Sequence, residues 1–132
     1  MNNLISTIKE QSPDTKIVWH MTWAYSSDSD YAPFNNYDCD RQKMYQAISD
    51  ATEQVSELVD LIIPSGKVIE EFRNSAYNDE NDLTRDGYHL NKGFPCFALS
   101  CLWHEYLITP YTHESCLSGN EEKITKMLLK YK

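Results

Sequence analysis

The stretch Asp60-Leu61-Ile62-Ile63-Pro64 decides the fold class that this sequence predicts. Its apolar residues are continuous rather than alternating with polar ones, which is typical of a strand buried on both faces of a parallel sheet. A second run of this kind, Lys16-Ile17-Val18-Trp19-His20, lies earlier in the chain. Parallel strands need a crossover connection, usually a helix, and the residues between the two runs supply one. The sequence therefore predicts an α/β fold with parallel strands.

Helical periodicity surrounds both predicted strands. Between them, Met44, Ile48, Ala51, Val55 and Leu58 recur at spacings of three and four, which predicts an amphipathic helix. Further helices are predicted over 2–11, 66–74, 95–107 and, after the capping-box pair Ser118 and Glu121, to about Tyr131. The helix over 95–107 is apolar nearly all round and is expected to be well buried. Polar loops are predicted over 21–39 and 75–92, and the first is too long for an ordinary connection.

The predicted sheet is too small to stand alone. Sheets usually have about four to six strands, and each of these two strands would leave an edge of unpaired backbone groups. We therefore expect residues 1–132 to form a single, truncated domain whose N-terminal strands are missing. Those strands would come from a preceding segment of a longer protein or from a second copy of the chain. A homo-oligomer that covers the open edges is thus a further expectation.

The charge balance narrows the classes of partner. The chain has 12 Lys and Arg against 20 Asp and Glu, for a formal net charge of −8. Phosphate binding needs a basic surplus, so nucleic acid and anionic membrane surfaces are not expected as partners. No apolar run approaches the roughly 20 residues of a membrane span, and the first residues lack the pattern of a signal peptide. The localisation stays open: the chain as it stands would be cytoplasmic, and a longer parent protein could be secreted or periplasmic.

Neither the cysteines nor the acidic loop indicates a metal site. The four cysteines form no Cys-x-x-Cys pair and are irregularly spaced for zinc; they are Cys39, Cys96, Cys101 and Cys116. We expect them to be mostly reduced and structural, and a disulfide between two of them stays open. The stretch Asn78-Asp79-Glu80-Asn81-Asp82 lacks the ligand spacing of a calcium loop and is expected to be solvated. No metal and no cofactor is therefore predicted.

The candidate chemistry lies in Leu83-Thr84-Arg85-Asp86-Gly87-Tyr88-His89-Leu90-Asn91. An Asp and a His three residues apart on a loop can place the carboxylate against one imidazole nitrogen. The other nitrogen is then free to take a proton from a hydroxyl group. Gly87 allows the backbone to turn sharply between them. Such Asp-x-x-His pairs also arise often by chance, and on spacing alone a solvated loop with a hydrogen-bonded histidine is the favoured alternative.

This stretch, followed by Gly93 and an apolar helix, resembles the last sequence block of the SGNH (GDSL-like) hydrolases. The stretch Trp19-His20-Met21-Thr22-Trp23-Ala24-Tyr25 is similar to a strand end in one uncharacterised bacterial branch of that superfamily. The resemblance covers roughly residues 1–130. It implies a three-layer α/β/α flavodoxin-like fold, of which this chain would be the C-terminal half.

The resemblance also implies roles for two residues. Asp86 matches the acid that orients the histidine of a catalytic triad, and His89 matches the general base. The Gly-Asp-Ser-like motif with the nucleophilic serine, and the blocks with the oxyanion-hole glycine and asparagine, have no match here. We therefore expect the C-terminal portion of a serine ester hydrolase, inactive alone, whose parent acts on a small-molecule or carbohydrate ester such as an acetylated sugar.

Four further residues are candidates for substrate binding. His20 ends the first predicted strand, where sites of α/β proteins cluster, and a packed strand-end histidine is the alternative. Trp23 and Tyr25 offer apolar faces to a sugar ring, and core packing is the alternative. Arg85 could contact an anionic substrate group, and a surface ion pair is the commoner outcome. A non-catalytic carbohydrate-binding or oligomerising remnant is the alternative function for the whole chain.

Overall fold

The fold is seen in a computed structural model that describes residues 2–78, 80 and 82–115. Helices occupy about half of these residues and flank a small parallel sheet. The elements in chain order are α1 (Asn2–Gln11), β1 (Val18–His20), a 3₁₀ helix (Ala32–Tyr37), α2 (Arg41–Val55), β2 (Leu61–Ile63), α3 (Ser65–Arg73), α4 (Phe94–Leu107) and α5 (Thr109–Thr112). The predicted helix from Ser118 to Tyr131 lies outside the described residues.

The parallel pairing predicted from the two apolar runs is confirmed. The paired residues are Val18 with Leu61, Trp19 with Ile62 and His20 with Ile63. Beyond the strands, the Met21 N–H donates to the Ile63 carbonyl at 3.0 Å. Each strand has three residues and is shorter than the apolar run that predicted it. In the described part of the chain, β1 and β2 are the two strands of the sheet, so its other edges carry no strand there.

Helix α2 is the predicted amphipathic helix, and it begins at a strong cap. The Asp40 carboxylate accepts hydrogen bonds from the N–H groups of Gln42 and Lys43, at 2.8 and 3.1 Å. Met44 and Val55 are buried as predicted, whereas Ala51 is exposed. Thr52, the next residue, is buried instead. The Thr52 hydroxyl satisfies its hydrogen bonds by donating to the Ile48 carbonyl and accepting from the Trp19 indole.

Helix α4 departs from its prediction as a helix buried nearly all round. One face packs into the main core with the buried residues Ala98, Leu99 and Leu102. The other face is exposed, with 51% of Phe97 and 37% of Trp103 accessible to solvent. The expectation was wrong because apolar composition gives the amount of apolar surface on a helix but not what covers each face.

Four charged residues, Arg41, Glu70, Arg73 and Asp82, form a cluster that we call the buried ion cluster. The Arg73 side chain is completely buried, and its Nη1 donates to the Ala24 carbonyl at 2.9 Å. Its Nε lies 3.3 Å from the Asp82 carboxylate, and Arg41 lies 3.5 Å from the same group. The expectation that the acidic stretch is solvated is therefore wrong for Asp82, because two guanidinium groups draw its side chain inward.

The core divides into a main cluster and a smaller one. The main cluster joins β2, α3 and α4 to the loop that carries Leu83 and Leu90, both of which are buried. The smaller cluster holds Ala24, Phe34 and Met44, and it anchors the long loop at 21–39 through the 3₁₀ helix. Among the described helices, none has the length and apolar character needed to cross a membrane.

Candidate active site

The loop with Asp86 and His89 projects from a buried base. Thr84 and Leu90 form an isolated antiparallel bridge, and both side chains are buried. Above the bridge, the Arg85 N–H donates to the His89 carbonyl at 2.9 Å. These contacts close residues 85–89 into a tight tip that reaches solvent while its stem is fixed in the core.

Within this tip, Asp86 and His89 form a close pair. The Asp86 Oδ2 lies 2.7 Å from the His89 Nδ1, and the Asp86 Oδ1 accepts from the backbone N–H groups of His89 and Tyr88, at 2.7 and 3.3 Å. Partial burial raises the pKa of Asp86, but these hydrogen bonds outweigh it and lower the pKa to about 2. Asp86 is therefore a carboxylate at neutral pH and holds the His89 Nδ1 as a hydrogen-bond donor.

The second nitrogen of His89 is available for other chemistry. Among the described residues, the ring's hydrogen bond is the one from Nδ1 to Asp86. The side chain is 53% exposed and lines an open cavity of about 550 Å³. An imidazole with Nδ1 held by a carboxylate and Nε2 free can accept a proton from a group in this cavity.

The segment from Trp23 to Tyr31 holds the tip in place. The Trp23 indole N–H donates to the Tyr88 carbonyl at 2.8 Å, and the N–H of the buried Ser26 donates to the Gly87 carbonyl at 2.8 Å. The Tyr31 ring stacks on Tyr88 with ring centroids 4.6 Å apart. The sequence interpretation did not identify Ser26 as a positioning residue; the unusual length of the loop at 21–39 was the available signal.

Gly87 meets two demands at the turn between Asp86 and His89. Its φ is +84°, a conformation that residues with a side chain rarely adopt. A Cβ at this position would also lie 2.8 Å from both the Cβ and the Oγ of Ser29. Glycine is required because the backbone turns sharply here and because the tip packs closely against the 23–31 segment.

Three of the four predicted substrate-binding residues line the cavity with His89; they are His20, Trp23 and Arg85. Tyr25 instead packs edge-on against Tyr31, Phe34 and Tyr88, and burial raises its pKa. The sequence interpretation missed Trp103, Cys96 and Ser100 of α4 in the cavity wall. Their spacing of three and four was a signal for a shared helical face, but that face was expected to be buried.

His20 lies between two indole rings. Its ring centroid is 5.0 Å from Trp103 and 6.1 Å from Trp23, and both contacts are edge-to-face. The His20 Nε2 is buried and has no hydrogen-bond partner among the described residues. Burial lowers the pKa of His20 and so favours the neutral ring.

Residues able to bind metal do not converge in the part of the chain that the structure describes. No three side chains of His, Cys, Asp or Glu are grouped there as ligands for an ion. Cys39 and Cys96 are free thiols, Cys101 is buried in the main core, and Cys116 lies outside the described residues.

Comparison with known proteins gives a family match and a structural match. A family model described as "Domain of unknown function (DUF4886)" matches residues 1–126. The chain is similar to the crystal structure of a DUF4886 family protein from Bacteroides uniformis ATCC 8492, with 30% identity and a TM-score of 0.71. The likeness covers 98% of this chain and 51% of the other, so the chain spans about half the length of that relative. No curated protein matches the chain.

Proposed function

This chain belongs to the DUF4886 family, and we propose that it carries the acid–base pair of an ester hydrolase with a serine nucleophile. In this reaction the His89 Nε2 takes the proton of the serine hydroxyl as the oxygen attacks the ester carbonyl. His89 then gives the proton to the leaving alcohol, which produces an acyl-enzyme. Water hydrolyses that ester by the same route, and Asp86 holds His89 throughout.

The observation that carries this proposal is the way Asp86 is fixed. One carboxylate oxygen contacts the His89 Nδ1 at 2.7 Å, and the other accepts two backbone N–H groups. A carboxylate held at both oxygens cannot rotate away from the ring, so it selects the tautomer in which Nε2 accepts a proton. The resemblance to the last sequence block of the SGNH hydrolases supports the same roles for these residues.

The nucleophile is proposed to come from another segment. Three serines that are buried or line the cavity are engaged elsewhere: Ser26 donates to Asp28, Ser65 accepts from Trp103, and Ser100 donates to the Cys96 carbonyl. We propose that a preceding segment of a longer protein adds strands beside β1 and brings the serine to His89. The sheet would then become the centre of a three-layer flavodoxin-like fold. The alternative supplier is a second copy of the chain.

The proposed substrate is a small-molecule or carbohydrate ester, such as an acetylated sugar. The test is hydrolysis of p-nitrophenyl acetate by this chain and by a version extended upstream. We expect activity in the extended protein, a loss of about 10³-fold or more in kcat with His89→Ala, and little activity in the short chain.

A matched control separates this mechanism from simple catalysis by surface imidazole. His113 is exposed and does not line the cavity, so His113→Ala should leave the rate unchanged. Equal rates for His89→Ala and His113→Ala would contradict the proposal. Sugar binding that survives Asp86→Ala and His89→Ala, without ester hydrolysis, would instead support a carbohydrate-binding module.

A further inference from the structure

We propose that the cavity beside His89 binds a planar apolar group that carries one negative charge, that is, an aromatic carboxylate. This inference rests on the proposed function in one respect, because the group, with its carboxylate free, would be the alcohol part of the ester. Binding itself needs no nucleophile. The volume of about 550 Å³ lies within the range of roughly 300–1,000 Å³ that small-molecule sites occupy.

The aromatic side chains in the cavity wall present apolar surface to a ligand. The indole N–H of Trp103 donates to the Ser65 hydroxyl at 3.3 Å, and that of Trp23 donates to the Tyr88 carbonyl at 2.8 Å. Because the protein uses both N–H groups, the two indoles offer the cavity ring surface rather than hydrogen bonds. Leu90 and Leu99 add aliphatic surface. A flat ring can pack against this lining with little polar surface to desolvate.

The formally charged side chain in the cavity lining is a cation. Arg85 is the cation among the lining residues that the structure describes, and no carboxylate lines the cavity with it. This local positive charge favours an anionic ligand group, although the net charge of −8 opposes the approach of anions at longer range. Asp86 lies 3.7 Å from the Arg85 Nε, beyond hydrogen-bond distance, and both of its oxygens are already engaged by the tip. Arg85 also borders a second cavity lined by Asp28, Asp30 and Asp86, so a ligand carboxylate would compete with these groups for the guanidinium. A guanidinium can bind such a carboxylate with two parallel hydrogen bonds.

His20 adds a third ring to the cavity wall, beside the two indoles. The His20 Nε2 is buried and makes no hydrogen bond within the described chain. Because this atom is not accessible to solvent, a ligand in the cavity contacts His20 through other atoms of its ring. A ring between the indoles and a carboxylate at Arg85 together define the ligand class.

The first experiment titrates the 132-residue chain with benzoate and follows the indole N–H signals by NMR. Benzamide is the control with the ring but no charge, and acetate is the control with the charge but no ring. We expect benzoate to shift the signals of Trp23 and Trp103 but not that of Trp19, which donates to Thr52 away from the cavity. Benzamide and acetate should bind at least about tenfold more weakly. Equal affinity for benzoate and benzamide, or no shift at all, would overturn the inference.

Variants then assign the contacts. Arg85→Gln should weaken benzoate binding about tenfold, to the level of benzamide, because it removes the cation. Lys92→Gln is the matched control, since Lys92 is an exposed cation on the same loop outside the cavity lining. Trp103→Leu should weaken benzoate and benzamide equally. If Arg85→Gln and Lys92→Gln have the same effect on benzoate, the ligand is held by the general field of the surface and the inference is wrong.

The two proposals fail separately. Benzoate binding that depends on Arg85, together with an extended protein that does not hydrolyse esters, would keep this inference and remove the hydrolase. Ester hydrolysis that depends on His89, without benzoate binding, would keep the hydrolase and remove this inference.

Discussion

Two groups of acidic and basic side chains in this molecule have opposite settings. The buried ion cluster joins α2, α3 and the loop at residue 82, and the Arg73 side chain at its centre has no exposed surface. The Asp86–His89 pair lies within one four-residue turn, where the side chains are 36% and 53% exposed. The charged side chains of the buried ion cluster connect segments that are distant in the sequence. The side chains of the Asp86–His89 pair connect neighbouring residues and stay accessible from solvent.

The energetics of the two settings differ for a physical reason. Burying ions costs several kcal/mol each in lost hydration, and removal of one partner leaves the other charge buried without compensation. An exposed pair loses little hydration, and its contribution to stability is small because water screens it. Disruption of the buried ion cluster should therefore lower stability, whereas disruption of the exposed pair should impair the proposed ester hydrolysis and leave the fold intact.

The largest effect is expected from Arg73→Met. The substitution removes the buried cation from the Glu70 and Asp82 carboxylates, and it should lower the free energy of unfolding by about 3–5 kcal/mol. Urea denaturation followed by circular dichroism measures the loss. A milder variant, Asp82→Asn, keeps the measurement possible if Arg73→Met does not fold. A loss below about 1 kcal/mol in both variants would show that water reaches the cluster.

A smaller effect is expected from Gly87→Ala at the exposed pair. The substitution forces a side chain into a left-handed conformation and into contact with Ser29, so it should cost about 2–3 kcal/mol. Gly93→Ala is the matched control, because Gly93 has a φ of +107° but nothing within 4 Å of the added methyl group. That variant carries the backbone strain alone, about 1–3 kcal/mol, and should lose less stability than Gly87→Ala. Equal losses in urea denaturation would mean that the contact with Ser29 contributes nothing.

The hydrogen bonds of the Asp86–His89 pair should also affect how the stability of the protein depends on pH. The folded pKa of Asp86 is about 2, below the ordinary value of 3.8. A lowered carboxyl pKa stabilises the fold above the unfolded pKa, and this contribution is lost as the pH falls from about 4 through 2. NMR titration of the Asp86 carboxyl carbon should give that midpoint. In His89→Ala the midpoint should rise but stay below the ordinary value, because two backbone N–H groups remain. An unchanged midpoint would exclude the ring as a partner.

The smallest effect on stability is expected from Arg85→Gln. Arg85 is half exposed, and its Nε lies 3.7 Å from Asp86, so the change should alter the free energy of unfolding by less than about 0.5 kcal/mol. The same urea titration used for Arg73→Met measures it. Arg73→Met and Arg85→Gln are therefore expected to give the largest and the smallest change in the free energy of unfolding. A loss of 2 kcal/mol or more here would place Arg85 with the structural charges.

Local patterns in the sequence predicted the local parts of this fold. The continuous apolar runs around Trp19 and Ile62 predicted a parallel pair, because burial on both faces leaves no polar alternation. The spacing of Met44 and Val55 predicted the buried face of α2. Spacing also placed Asp86 beside His89, since three residues on a turn allow the carboxylate to reach the ring. Each prediction depended on residues close to one another in the chain.

Contacts between distant residues could not be predicted in this way. Nothing near Asp82 indicates that Arg41 and Arg73 lie against it, because the three residues meet only in the folded chain. Trp103 was expected in the core, since an apolar helix gives no sign of which neighbours cover it. The contact between Ser26 and Gly87 likewise depends on the path of the whole chain.

The contacts that hold the Asp86–His89 turn against the 23–31 segment have a consequence for the order in which the site assembles. The Asp86–His89 hydrogen bond joins residues that are three positions apart in the sequence, whereas the Trp23–Tyr88 hydrogen bond joins residues that are 65 positions apart. Long loops cost more entropy to close and usually form later in folding. We therefore expect a partly folded chain to contain the histidine–carboxylate turn before that turn has a fixed position. Hydrogen exchange at the Ser26 amide would report the later event, when the turn becomes fixed beside its cavity.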